Sequence, residues 1–208
     1  MSDRLQTSLF DAAEPERIEL QGGELQLFPQ WIAEAQISTL FQALREQVPW
    51  EQSVLQLYGR ARPIPRLNAW FGDPSCGYGY SGHRLSLHPW LPVLAQLRQR
   101  LQQDLNIVSN SVLANLYRDG QDSVAWHSDD EPELGINPVI ASISLGAERR
   151  FSLKPRGQST LKPLHLSLPS GSLLLMTGAI QHNWYHCVPK SSSVNAARIS
   201  LTFRQIFR

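Results

Sequence analysis

The chain has 208 residues, of which 42% are hydrophobic and 18% charged, and its formal net charge is +1 at neutral pH. This length and balance predict a single globular domain and exclude a disordered or fibrous protein. With no apolar run long enough for a membrane span, no signal-peptide core and only two cysteines, we expect a cytoplasmic protein with no membrane partner and no disulfide scaffold.

Charge is distributed unevenly along the chain. Residues 1–59 contain three Arg and nine Asp or Glu, whereas residues 60–100 contain six Arg and one Asp. The segment GRARPIPR, residues 59–66, concentrates part of this positive charge. Arginine binds phosphate through its forked donors, so the segment indicates a nucleic-acid surface, although an ordinary solvated face can have the same composition.

The N-terminal half combines a hairpin pattern with two helical patterns. We expect a mobile tail over residues 1–16 and a single domain from residue 17 to residue 208, because the first residues are polar and acidic. The segment IELQGGELQLFP has the alternation and central glycines of a β-hairpin. Apolar residues at helical spacing predict a helix that ends near Val48 and a second helix from Trp90 to Leu105, with Pro92 in its first turn.

From Ser111 onward the pattern changes to short strand-like runs separated by turn residues. The runs are SVLANLYR, PVIASISLG, RRFSLKP, LKPLHLSLP, SLLLMTG and ARISLTFRQI. Because no helical periodicity separates them, a β-sandwich or jelly roll is favoured over a parallel α/β sheet. The predicted fold class is therefore α+β and mainly β, with helices over residues 17–110 and a jelly-roll core over residues 111–208.

Two histidines and one aspartate have the spacing of a metal site. His127 and Asp129 are two positions apart, so an extended segment projects both side chains to the same side. This pair alone is frequent by chance, but His186 follows 57 positions after Asp129 in the aromatic run NWYHCVP. Two His and one Asp form the facial triad of non-haem Fe(II) oxygenases, although manganese or cobalt can use the same ligands.

The last predicted strand, ARISLTFR, carries arginines on one face. Alternation places a polar set on that face: Arg198, Ser200, Thr202 and Arg204. Arginines that point into a barrel are costly unless an anion binds there, which favours an anionic ligand. An outward-facing edge strand is the alternative.

These motifs, together with PRLNAWFGD (65–73), YGYSG (78–82) and NLYRDGQDSVAWHSDDE (115–131), resemble the AlkB-like dioxygenases. The resemblance covers most of residues 57–207 and is greatest to the members that repair duplex DNA. It implies a double-stranded β-helix with an N-terminal nucleotide-recognition lid. It also implies Fe(II), 2-oxoglutarate and O2 as the cofactor and cosubstrates of an enzyme that removes alkyl groups from nucleobases.

The resemblance assigns roles to individual residues. It makes the iron ligands His127, Asp129 and His186. The residues that it implies for binding of 2-oxoglutarate are Asn115, Tyr117, Arg198, Thr202 and Arg204. It places the following residues at substrate contacts: Tyr58, Gly59, Arg60, Arg66, Tyr78, Tyr80, Asp130 and Glu131.

Within this last set, the resemblance predicts distinct contacts. Tyr58 would enter the base stack of a duplex, and Arg66 would lie on the DNA backbone nearby. Tyr78 and Tyr80 would stack on a flipped base, although a cross-strand tyrosine pair is an alternative explanation. A carboxylate of Asp130 or Glu131 would read the exocyclic nitrogen or the cationic ring of the lesion.

The function implied is that of a monomeric repair dioxygenase that demethylates bases of the 1-methyladenine and 3-methylcytosine type in duplex or single-stranded DNA, with RNA as a further substrate. Two other functions stay open at this point. A 2-oxoglutarate-dependent hydroxylase of a small molecule or protein would have the same triad and arginines. A nucleic-acid reader without catalytic activity could keep the fold, but it would not need all three metal ligands.

Overall fold

The structure, a computed structural model, describes residues 14–57, 60–77, 85–157 and 160–207. Four of the expected substrate contacts, Tyr58, Gly59, Tyr78 and Tyr80, lie outside these described residues. Among the helices of the described ranges, none has the length and apolar character that crossing a membrane requires.

The elements before residue 110 include both helices that the sequence predicts. Their bounds are β1 Glu16–Leu20, β2 Gly23–Phe28, α1 Glu34–Gln47, β3 Val54–Leu57, β4 Arg60–Pro63, β5 Leu67–Gly72, β6 Leu87–His88 and α2 Pro92–Leu105. The predicted hairpin is confirmed, because β1 pairs antiparallel with β2 through a turn at Gly22, whose φ of 88° suits glycine. The expected tail overlaps this hairpin by one residue, since β1 begins at Glu16.

The elements after residue 110 include six strands that match the predicted strand-like runs. Their bounds are β7 Ser111–Tyr117, β8 Val124–His127, β9 Ile140–Gly146, β10 Arg149–Pro155, β11 Leu164–Leu168, β12 Leu173–Gly178, α3 Ile180–Asn183, β13 Trp184–Val188 and β14 Arg198–Arg204. Strands β8 and β13 lie outside those runs. The sequence shows no helical periodicity in this half, but a single helical turn, α3, lies between β12 and β13.

The strands form two sheets of a jelly roll, which confirms the predicted fold class. The major sheet has eight strands in the order β1-β2-β12-β9-β14-β7-β5-β6, and the minor sheet has four in the order β11-β10-β13-β8. Strands β3 and β4 form a separate pair. Four strands of the major sheet come from the segment before residue 110, where the sequence predicts only a hairpin and helices.

Two apolar layers hold these elements together. One lies between the sheets, where Leu174 and Met176 of the major sheet meet Phe151 and Leu153 of the minor sheet. The other lies on the outer face of the major sheet, where α1 and α2 pack through a set of buried residues that includes Leu44, Leu94, Leu101, Leu201 and Phe203. Strand β14 therefore buries its apolar face under the helices and turns its polar face to the interior between the sheets.

Candidate metal centre and cosubstrate pocket

The three predicted metal ligands come together at one end of the minor sheet. His127 ends β8, and His186 lies opposite it on the neighbouring strand β13. Asp129 lies two positions after His127. One ligand atom from each of the three residues lies within 4.8 Å of the others. The register of two adjacent strands therefore brings together residues that are 57 or more positions apart in sequence.

The two imidazoles are prepared to bind a cation. The Nδ1 atom of His127 lies 2.8 Å from the carbonyl oxygen of Ala125. Because a carbonyl only accepts, Nδ1 carries the proton and Nε2 keeps its lone pair for a metal. Burial, together with the neighbouring His127, lowers the pKa of His186 to about 3. His186 is therefore neutral near pH 7, as a metal ligand must be.

Asp129 is ionised although it is buried. Burial by itself raises the pKa of its carboxyl group, but Arg204 and the two imidazoles outweigh this effect and hold the pKa well below its usual range. The Nη2 atom of Arg204 donates to Asp129 Oδ1 at 2.8 Å. Arg204, expected at 2-oxoglutarate, thus orients the carboxylate of a predicted metal ligand.

Gln181, which sequence reasoning did not single out, holds the backbone of Asp129 in place. Its side chain is fully buried, and its Oε1 accepts the backbone N–H of Asp129 at 2.9 Å. Its Nε2 lies 3.5 Å from the sulfur of Met176. Gln181 belongs to α3, which directly precedes β13, so it connects the Asp129 loop to the strand that carries His186.

We predict that Gln181→Leu weakens metal binding by about tenfold, because groups that orient metal ligands contribute about 10- to 100-fold to affinity. The change keeps the volume of the side chain but leaves the N–H of Asp129 without its acceptor. Titration with Ni²⁺, followed by tryptophan fluorescence, measures the affinity. Gln26→Leu is the control, because Gln26 donates to Glu24 rather than to the site. Equal affinities of Gln181→Leu and wild-type protein would remove Gln181 from this role.

The polar face of β14 lines a cavity beside the metal ligands. Arg198, Ser200, Thr202 and Arg204 all border this cavity, which confirms the alternation predicted for the strand. Asn115 and Tyr117 of β7 border it as well, since β7 pairs with β14. The proposed metal ligands and the proposed 2-oxoglutarate residues therefore share one cavity.

Arg198 has the surroundings of an anion-binding residue. Its side chain is 1% exposed, and burial lowers its pKa from the ordinary value. Its Nη2 donates to Ser144 Oγ at 2.8 Å, whereas Nε and Nη1 have no hydrogen-bond partner among the described residues. Buried charged donors without partners are costly, so a carboxylate ligand would relieve an existing penalty.

Tyr117 lies close to two guanidinium groups. The Cζ atom of Arg198 is 5.2 Å from the centroid of the Tyr117 ring, and that of Arg149 is 5.6 Å away. Arg149 is buried and donates to the carbonyl oxygens of Asp119, Asp122 and Pro189. Sequence reasoning missed Arg149, because its position on β10 resembles that of any charged residue at the start of a strand.

Arg66, for which a contact with the DNA backbone was expected, is half-buried and lines the same cavity, and its contact with DNA stays a prediction. Its Nε donates to Asn115 Oδ1 at 2.8 Å, and its Nη1 donates to the Ser123 carbonyl at 3.2 Å. This bond leaves the side-chain N–H2 group of Asn115 free to donate to a ligand. Pairing of β5 with β7 puts Arg66, at the start of β5, beside Asn115.

The remaining described substrate candidates are not among the residues that line the cavity. Asp130 is exposed and forms an ion pair with Arg156, whose Nη1 also donates to Ser128 Oγ. Glu131 directly precedes the 3-10 turn Pro132–Leu134. Arg60 is exposed on β4. The ion pair with Arg156, 26 positions along the chain, has no signature in the sequence.

Comparison with known proteins identifies the family. A model of the 2OG-Fe(II) oxygenase superfamily matches residues 24–204. The alpha-ketoglutarate-dependent dioxygenase alkB homolog 3 of Mus musculus is 39% identical over 191 residues, which cover 87% of this chain and 65% of that protein. The DNA oxidative demethylase ALKBH2 of Homo sapiens is 38% identical over 181 residues, which cover 83% of this chain and 69% of that protein.

Solved structures share the fold at low sequence identity. That of OsALKBH1 superposes with a TM-score of 0.54 at 17% identity, and covers 91% of this chain and 100% of that chain. An oxidoreductase from Burkholderia pseudomallei, of the 2OG-Fe(II) oxygenase family, superposes with a TM-score of 0.56 at 18% identity. The match covers 86% of this chain and 84% of that chain. The chain belongs to the 2OG-Fe(II) oxygenase superfamily and, within it, to the AlkB homologue family.

The residues present fit the cofactor and cosubstrate that the superfamily name specifies. Two imidazoles and one ionised carboxylate are the donor set of non-haem Fe(II), and they converge here. The unpaired donors of Arg198 fit a carboxylate of 2-oxoglutarate in the same cavity.

Proposed function

We propose that the protein is a DNA repair dioxygenase that oxidatively demethylates N-alkylated bases, of the 1-methyladenine and 3-methylcytosine type, with Fe(II), 2-oxoglutarate and O2. The observation that carries the proposal is a metal triad in one cavity with a buried arginine that has unpaired donors. Relatives that are 38–39% identical include proteins named DNA oxidative demethylase. These names support the choice of substrate.

When bound, Fe(II) supplies the redox chemistry by which O2 oxidises 2-oxoglutarate to succinate and CO2 and hydroxylates the N-methyl group, which then leaves as formaldehyde. The chain's own residues bind and orient the reactants. His127, Asp129 and His186 would hold the metal, and Arg198 would bind a carboxylate of 2-oxoglutarate. The other residues proposed to position this cosubstrate are Asn115, Tyr117, Thr202 and Arg204.

The charges around the opening suit a cationic base on an anionic strand. Asp130 and Glu131 directly follow a metal ligand, and carboxylates attract the positive ring of an N-methylated base. Arg60 and Arg62 are exposed on the short hairpin of β3 and β4, where they can contact phosphates. The pairing of Asp130 with Arg156 implies that Asp130 is oriented before a substrate arrives.

One assay separates this function from its competitors. The protein is loaded with Fe(II) and 2-oxoglutarate and given methylated single-stranded DNA, duplex DNA or RNA, with unmodified strands as controls. We expect formaldehyde and succinate in equal amounts, and only with a methylated strand. Succinate without formaldehyde would indicate a hydroxylase of another substrate, and binding without either product would indicate a nucleic-acid reader.

Tyr58 is proposed to fill the gap that a flipped base leaves in a duplex. Flipping a base out of a duplex costs a few kcal/mol, whereas a single strand offers its base at a smaller cost. Tyr58→Ala should therefore lower the demethylation rate on a methylated duplex several-fold and leave the rate on the same single strand nearly unchanged. Equal losses on both substrates would contradict the duplex role and indicate a packing residue.

Monomeric state and cytoplasmic location remain part of the proposal. Light scattering of the purified protein tests the first, and fractionation of cells that express the full chain tests the second. A stable dimer would contradict the monomeric state, and recovery in another compartment would contradict the cytoplasmic location. Neither result would affect the proposed chemistry.

A further inference from the structure

The outer face of the minor sheet carries an exposed aromatic residue beside the metal site. Trp126 precedes His127 on β8, and neighbouring side chains of a strand point to opposite faces. His127 faces the cavity, so Trp126 faces outward, where it is 41% exposed. Strand β8 is the edge of the minor sheet, which leaves this ring accessible.

Cations alternate with aromatic rings across this face. The Nζ atom of Lys154 lies 4.7 Å from the Trp126 ring centroid and 5.9 Å from that of Tyr185. The Cζ atom of Arg156 lies 4.8 Å from the Tyr185 centroid. We refer to Trp126, Lys154, Tyr185 and Arg156 as the aromatic-cation row.

One end of the aromatic-cation row, Arg156, lies beside the metal site. Nη1 of Arg156 forms the ion pair with Asp130 and also lies 3.2 Å from the carbonyl oxygen of Gln181. Asp130 is next to the metal ligand Asp129. A strand whose target base enters the cavity would therefore meet Arg156 first and Trp126 further out.

The charge of this face suits an anionic polymer. Strand alternation puts Arg150 on the same side as Lys154, and Arg150 is exposed. Of the two nearby carboxylates, Asp130 forms an ion pair with Arg156, and Glu148 accepts a hydrogen bond from the hydroxyl of Ser167. Asp130 thus neutralises Arg156, whereas Lys154 and Arg150 form no ion pair among the described residues and remain available to phosphates beside Trp126.

We propose that the aromatic-cation row binds the single-stranded segment of nucleic acid that flanks the target base. Surfaces that bind single strands combine cations for the phosphates with aromatic rings on which bases stack. An acidic peptide would use the cations but would have no bases to stack on Trp126. The inference rests on the proposed function, because it takes the flanking strand to belong to the substrate.

The test compares strands that share one methylated base but differ in length. Strands of about 5 and about 15 nucleotides, both within the range of single-strand binding sites, are titrated with the Fe(II)-free protein and followed by fluorescence anisotropy. Trp126→Ala should weaken binding of the long strand about tenfold and leave the short strand within about twofold, because stacking contributes about 1–3 kcal/mol per base. Trp126→Phe should restore most of the loss.

Two further variants control this result. Phe207→Ala removes a ring of similar exposure, 51%, that lies outside the aromatic-cation row, and should bind both strands like wild-type protein. Lys154→Gln should reduce the slope of log affinity against log salt by about 0.7 for the long strand. This second variant leaves Trp126 in place, so it tests the surface even if Trp126→Ala unfolds.

The outcomes for the two proposals are distinguishable. If the wild-type protein releases formaldehyde but Trp126→Ala and Lys154→Gln bind both strands like wild-type protein, the aromatic-cation row is not a binding surface and the proposed function stands. Equal loss on short and long strands would also overturn the inference, because it would place Trp126 in the site itself. Length-dependent loss without demethylation would support the surface and contradict the proposed function.

Discussion

His186→Ala should abolish demethylation, with a loss greater than about 100-fold under saturating Fe(II). Groups that merely orient metal ligands contribute about 10- to 100-fold, so removal of a ligand should cost more. The same variant should lose high-affinity binding of Ni²⁺, which is measured independently of turnover. Asp129→Ala and His127→Ala should behave alike, because all three residues converge on one point.

His182→Ala is the matched control. His182 is exposed on α3, four positions before His186, and should keep both metal affinity and activity. Retention of more than a small fraction of activity by His186→Ala would show that another residue is the distal ligand. The melting temperature of His186→Ala is measured without metal. A fall would show that the variant is less stably folded, whereas an unchanged value would attribute the lost activity to the missing metal ligand.

Arg198→Lys should raise the Michaelis constant for 2-oxoglutarate about tenfold or more. A lysine is a point charge that cannot reproduce the two-pronged hydrogen bonding of a guanidinium group to a carboxylate. Hydrogen bonds to charged groups contribute about 1.5–3 kcal/mol, and every 1.4 kcal/mol corresponds to tenfold in affinity. Binding of the methylated strand should change little, since Arg198 is buried between the sheets.

Arg150→Lys is the control for this change. Arg150 is exposed on β10, so the same substitution there should leave the constant for 2-oxoglutarate unchanged. If the constant for Arg198→Lys stays within about twofold of wild type, Arg198 does not bind the cosubstrate. Equal losses of cosubstrate and strand binding would instead indicate a general disturbance of the fold.

Much of the fold follows from local patterns in the sequence. Period-two alternation in ARISLTFR assigned the polar and apolar faces of β14, and the cavity and the packed helices use those faces as predicted. The spacing of apolar residues predicted α2 to its last residue. Strand β5 was not predicted, because a strand buried on both faces lacks a distinctive alternation, and β6 has only two residues.

The candidate site was predicted less evenly. Residue types and spacing, supported by the resemblance to AlkB-like enzymes, identified His127, Asp129 and His186, and the structure brings them together. Gln181, Arg149 and Arg156 were missed, because each acts through a contact with a residue distant in sequence. The same reason explains Arg66, whose place beside Asn115 depends on the pairing of β5 with β7.

The sequence by itself determined which residues share a strand face and which residue types could bind a metal or an anion. Both properties depend on neighbours within a few positions, where backbone geometry sets the direction of each side chain. Only the tertiary structure decided that His186 lies opposite His127, that Arg198 is left with unpaired donors, and that Trp126 is exposed beside Lys154. These relations depend on the register and order of strands that meet from distant parts of the chain, and a one-residue shift in register would exchange the two faces of a strand.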